Sequence, residues 1–144
     1  MPVSTLRKIQ LQDPLSPRLR FYEVRVPCGF PSPADDFEEA DLNFNDLLVK
    51  DREATYVVRV EGDSMVNAHI LDGDTLVVDK SLLPAHGDIV LVAIDGYFTV
   101  KRYWKQKEQL ILKAENPRYR DIVLTEFMDV RIFGVVTNVI HHIR

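Results

Sequence analysis

The sequence predicts a mainly β domain of curled antiparallel sheets, barrel-like in outline, with one short helix and an extended N-terminal arm. Three observations carry this. Short segments rich in Val, Ile, Thr and aromatics follow one another from residue 55 to residue 140, separated by turn residues. Asp95-Gly96 lies between two apolar runs, the strongest hairpin signal in the chain. A single stretch repeats its apolar residues at helical spacing.

Taken in order, residues 1–27 contain Pro2, Pro14, Pro17 and Pro27 and no sustained period, so they read as an arm with one short strand over Phe21–Val26. Gly29-Phe30-Pro31-Ser32-Pro33 and the acids between Asp35 and Asp41 read as a linker. In Phe37–Lys50 the residues Phe37, Ala40, Phe44, Leu47 and Leu48 recur every three or four positions, which predicts an amphipathic helix. The predicted strands are Thr55–Val60, Thr75–Asp79, Asp88–Ile94, Tyr97–Tyr103, Gln109–Lys113, Asp121–Leu124 and Val130–Ile140.

The 144 residues, 46% hydrophobic and 28% charged, suit one soluble domain with its own core. The net charge of −4 argues against strong direct DNA binding. That charge is uneven. Arg7, Lys8, Arg18, Arg20 and Arg25 against Asp13 and Glu23 make residues 1–28 +3, which leaves −7 on the rest. The apolar runs are too short to cross a bilayer, and the N-terminal residues lack a secretory pattern, so no membrane association is expected. With Cys28 as the single cysteine, a cytoplasmic location is expected. One cysteine with His69, His86, His141 and His142 offers no metal-ligand spacing, and His141 and His142 read as a solvated tail; no metal or other cofactor is expected.

Two segments could carry chemistry. Gly62-Asp63-Ser64-Met65 places a serine in a tight turn straight after a predicted strand; it is no hydrolase elbow, because position 66 is Val. Taken alone it also fits a turn whose serine bonds its own backbone. In Phe98-Thr99-Val100-Lys101-Arg102 the strand period puts Thr99 and Lys101 on one face. Lys101 is either a solvated strand lysine or, if that face is buried, a base for Ser64. Deprotonating an ordinary lysine at pH 7 costs roughly 4.6 kcal/mol, so a base lysine requires desolvation, which lowers its pKa by up to about 3 to 5 units.

Together with Cys28-Gly29-Phe30-Pro31-Ser32-Pro33-Ala34, Asp72-Gly73-Asp74, His86-Gly87-Asp88-Ile89-Val90 and Phe133-Gly134-Val135-Val136, in that order along the chain, these segments resemble the LexA/UmuD family of self-cleaving serine-lysine peptidases. The resemblance spans about four-fifths of the chain and is strongest to the UmuD-type members. It implies cleavage between Cys28 and Gly29, with Ser64 as nucleophile, neutral Lys101 as base, Thr99 in support, and the backbone N–H groups of Asp63 and Ser64 as oxyanion donors. Residues 1–28 would then be an arm removed by self-cleavage, and residues 29–144 a peptidase and dimerisation domain. Cys28 becomes a substrate side chain, with a buried inert thiol as the other reading.

The resemblance further implies an SOS mutagenesis protein whose cleavage is stimulated by the RecA filament on single-stranded DNA. Its trimmed homodimer would join a UmuC-type polymerase in translesion synthesis. A sliding clamp is a further implied partner, but the arm matches no clamp-contacting segment and no such residue is carried over. If docking the arm completes the burial of Lys101, the base stays idle until the arm docks. Three other readings remain: a non-catalytic dimeric binding module, a truncated LexA-like repressor, and a Ser64–His86 pair. Against the second, 28 proline-broken residues are too few for a helix-turn-helix core; against the third, His86-Gly87-Asp88 reads as a loop.

Overall fold

The computed structural model describes residues 3–8, 19–23, 26, 28–29 and 38–144. The elements in chain order are β1 (Val3–Lys8), β2 (Leu19–Glu23), β3 (Glu38–Leu42), α1 (Phe44–Leu48), β4 (Thr55–Val60), β5 (Thr75–Asp79), β6 (Ile89–Ile94), β7 (Tyr97–Gln106), β8 (Gln109–Lys113), β9 (Ile122–Val123) and β10 (Val130–Ile140). A 3-10 turn at Val66–Ala68 follows the Ser64 segment. Eight strands form one antiparallel sheet in the order β1-β4-β5-β10-β6-β7-β8-β9, while β2 and β3 make a separate ribbon. The mainly β antiparallel architecture forms as expected, as an open sheet.

β4, β5, β8 and β10 have the bounds that alternation and β-branched content predict. The Asp95-Gly96 hairpin joins β6 to β7, with both residues in the left-handed region (φ 48° and 85°) that a type I′ turn needs. Other expectations change. The helix predicted over Phe37–Lys50 is confined to Phe44–Leu48, because Asn43 caps it by accepting the Asn45 N–H (2.9 Å). Upstream, Glu38–Leu42 is a strand paired with Leu19–Glu23, a long-range contact that helical spacing does not encode. The arm strand expected at Phe21–Val26 runs Leu19–Glu23 instead, and Val3–Lys8 adds a strand that the sequence reading did not contain. The expected proline punctuation at residues 30–34 lies outside the described residues. His141, expected in a solvated tail, sets its Nδ1 2.6 Å from Oδ1 of the buried Asp74.

The core lies along the sheet. Val58, Val60, Met65, Ile70, Leu76, Val78, Leu91 and Val100 form one buried cluster; Val90, Val92, Leu112 and Val135 form another. Each such side chain contributes roughly 1.5–3 kcal/mol when fully buried. Met65 connects the core to function: it directly follows Ser64 and is fully buried, so packing anchors one end of that turn.

Gly134 marks a close approach of β10 to β5. A Cβ there would lie 2.6 Å from Val78 Cγ1 and 3.0 Å from the Asp79 carbonyl oxygen. Backbone cannot yield cheaply, so Gly134→Ala is expected to destabilise the domain by about 1–3 kcal/mol. Thermal denaturation of the variant checks this; an unchanged melting temperature would show that β10 can move.

Candidate active site

The site is built where the end of β4 meets β7. β4 ends at Val60, and Gly62 (φ 95°) turns the chain sharply, its N–H donating to Asp72 Oδ1 at 2.7 Å. The Asp72-Gly73-Asp74 loop is tied to the same strand, with Gly73 N–H on the Val60 carbonyl and Val60 N–H on the Asp74 carbonyl. Ser64 thus emerges from a turn held on both sides, and it is 1% exposed.

Lys101 lies in β7 opposite Val90, on the face it shares with Thr99. It is 6% exposed, and its Nζ reaches Ser64 Oγ (3.3 Å), Thr99 Oγ1 (3.2 Å) and the Val100 carbonyl (3.3 Å). An ammonium can donate to all three; a neutral amine would keep two of these bonds, to Thr99 and Val100, and turn its lone pair to the Ser64 hydroxyl. Desolvation by burial lowers the Lys101 pKa from its ordinary 10.5, against the opposing pull of the Asp121 carboxylate. Lys101 joins Asp74 and Asp79 as a buried charged side chain.

The backbone N–H groups of Asp63 and Ser64 donate to no protein acceptor among the described residues. Their carbonyls are engaged. Asn116 Nδ2 donates to Asp63 O (2.9 Å), Glu115 N–H donates to Ser64 O (2.8 Å), and the Tyr119 hydroxyl donates to the Asp63 carboxylate. Sequence reasoning missed Glu115, Asn116 and Tyr119. Asn116-Pro117 is a turn signal, but nothing in it points to a segment some fifty positions away.

The remaining site residues fall apart from this cluster. Cys28 and Gly29 are exposed, and no hydrogen bond joins them to Ser64 or Lys101 among the described residues. Cys28 is therefore not a buried thiol. Lys101 is buried while this bond stands in solvent, in a structure where the arm strand β1 already pairs with β4 and approaches β7. His86 makes no pair with Ser64: its Nδ1 accepts the Lys105 N–H (3.1 Å) and its ring packs 4.2 Å from Trp104.

Residues 20–137 match the Peptidase S24-like family. The chain belongs to that family. Membership makes it a serine peptidase by kinship. It is 41% identical to protein SamA of Salmonella typhimurium over 92% of each chain. It is 42% identical to protein ImpA of Escherichia coli over 83% of this chain and 81% of that one. It is also 36% identical to LexA repressor 1 of Geobacter sulfurreducens over 79% of this chain and 56% of the repressor. Among the described residues no helix is long and apolar enough to cross a membrane, and no group of three or more His, Cys, Asp or Glu side chains could hold a metal ion.

Proposed function

We propose that this protein is a serine endopeptidase that cuts its own chain between Cys28 and Gly29, with Ser64 as nucleophile and Lys101 as general base. The observation that carries the reading is a desolvated lysine amine 3.3 Å from a buried serine hydroxyl in a chain of the S24-like family.

The chemistry runs as acyl transfer. Neutral Lys101 takes the Ser64 hydroxyl proton as Oγ bonds to the Cys28 carbonyl carbon, and the oxygen becomes an oxyanion facing the Asp63 and Ser64 N–H groups. The tetrahedral intermediate collapses by breaking the C–N bond to Gly29, and the Lys101 ammonium returns its proton to the departing amine. Water, deprotonated by Lys101, then hydrolyses the Cys28 ester and frees Ser64. Thr99 Oγ1 and the Val100 carbonyl hold the amine in line throughout.

In this reading residues 1–28 are a removable arm and residues 29–144 a dimerising product. The exposed Cys28–Gly29 bond belongs to the uncut precursor, and stimulation by the RecA filament acts on docking of that bond. The trimmed homodimer serves a UmuC-type translesion polymerase in the cytoplasm during the SOS response, with the sliding clamp as a further partner.

Incubation of the purified chain at pH 10 is expected to yield fragments 1–28 and 29–144 by mass spectrometry, and Ser64→Ala is expected to yield neither. An intact wild-type chain after prolonged incubation would leave a non-catalytic binding module. Gly29→Phe separates docking from folding. A Cβ at Gly29 meets nothing within 4 Å, so the variant should melt like the parent yet remain uncut, because the bulk obstructs approach to Ser64. Cleavage of Gly29→Phe at the parental rate would count against this bond as the substrate.

A further inference from the structure

Resting on the Ser64–Lys101 reading, we propose that Asn116 is a positioning residue for the oxyanion site: it holds the Asp63 carbonyl from behind and so aims the Ser64 N–H at the carbonyl oxygen of the bond being cut. In a trans peptide the C=O of one residue and the N–H of the next point in opposite directions. Whatever grips the Asp63 oxygen therefore sets the direction of the Ser64 N–H. Two donors share that oxygen, Asn116 Nδ2 at 2.9 Å and the Val66 N–H at 3.3 Å, and Asn116 makes the closer grip.

The orientation of the Asn116 amide follows from its other contact. Its Oδ1 accepts the Arg118 N–H (3.0 Å) within its own turn, which leaves Nδ2 toward Asp63. The loop is itself anchored to both halves of the dyad. Glu115 N–H holds the Ser64 carbonyl (2.8 Å), Asn67 N–H holds the Glu115 carbonyl (2.9 Å), and the Glu115 carboxylate accepts from Arg102 Nε (2.6 Å), the residue after Lys101 in β7. The Tyr119 hydroxyl adds a tether on the Asp63 carboxylate. A preorganised oxyanion site depends on donors that need not reorient during reaction, and the turn's own backbone holds the Asp63 oxygen only through the longer Val66 N–H contact, so Asn116 supplies the tighter of its two grips.

Two variants test this, Asn116→Ser and Asn116→Asp. Each keeps an oxygen for the Arg118 N–H, and neither offers a donor that reaches Asp63 O. Self-cleavage rates of the full chain are measured from pH 7 upward beside thermal melts. Losing an oxyanion donor outright costs about 10²–10³-fold, so a donor that persists but is no longer aimed should lower the plateau rate by about tenfold. In Asn116→Ser, which adds no charge, the pH midpoint reporting Lys101 should stay where it is, and the melting transition should be retained.

Wild-type plateau rates in both variants would overturn the assignment while leaving the dyad intact. A shifted midpoint or a lost melting transition in the serine variant would overturn it too, by making Asn116 a structural residue. An uncut wild-type chain would instead remove the Ser64–Lys101 reading, and this inference with it.

Discussion

Lys101→Met is expected to slow self-cleavage at pH 10 by about 10²–10⁴-fold, the contribution of a positioned general base, while making the folded domain more resistant to heat at neutral pH. Methionine fills a similar unbranched volume without a basic nitrogen or a charge, so the fold keeps its packing while Ser64 loses its proton acceptor. The gain in stability has a definite sign. Burial lowers the Lys101 pKa below 10.5, so the unfolded chain binds this proton more tightly than the folded one does. The stabilising contribution is therefore present above 10.5, shrinks as pH falls through the window down to the lowered value, and is fully lost below it. Methionine has no such dependence. The melting-temperature advantage of Lys101→Met should thus be largest at neutral pH and narrow as pH approaches 10.5. Parental cleavage in the variant would remove Lys101 from the mechanism, and a lower melting temperature at pH 7 would contradict its desolvation.

The second large effect is the pH dependence of the wild-type rate. Because the neutral amine is the reactive form, the rate should climb about tenfold per pH unit below the Lys101 midpoint and level off before 10.5. A rate independent of pH between 7 and 10, or one still climbing in proportion beyond 10.5, contradicts a desolvated lysine base. Lys101 is 6% exposed while Cys28 and Gly29 stand in solvent, which bears on activation. An activator that brings the bond to Ser64 should raise the plateau and leave the midpoint in place. An activator that instead completes the burial of Lys101 should move the midpoint downward. Rate–pH profiles taken with and without RecA-coated single-stranded DNA distinguish the two.

The strands were legible because their signal is local: β-branched and other apolar residues are concentrated in β4, β5, β8 and β10, and Asp95-Gly96 imposes its turn whatever surrounds it. The first part of the helical stretch was misleading for the converse reason. Apolar spacing at Phe37, Ala40 and Phe44 suits a helix, yet residues 38–42 find a partner strand that a local pattern cannot announce.

The same division runs through the candidate site. The strand period put Thr99 and Lys101 on one face, and the Lys101 Nζ–Thr99 Oγ1 contact at 3.2 Å follows from it. Family resemblance named Ser64 as the partner before any distance was known. By itself, then, the sequence determined which residue types stand where along the chain, the β character and the turn chemistry, all of which depend on neighbours a few positions away. Only the tertiary structure decided that Lys101 is desolvated, that Asn116 and Tyr119 grip the Asp63 segment, and that Cys28–Gly29 lies outside the site. Desolvation and long-range hydrogen bonding are properties of what surrounds an atom in space, and residues 64, 101 and 116 meet only when β4, β7 and the loop after β8 pack together.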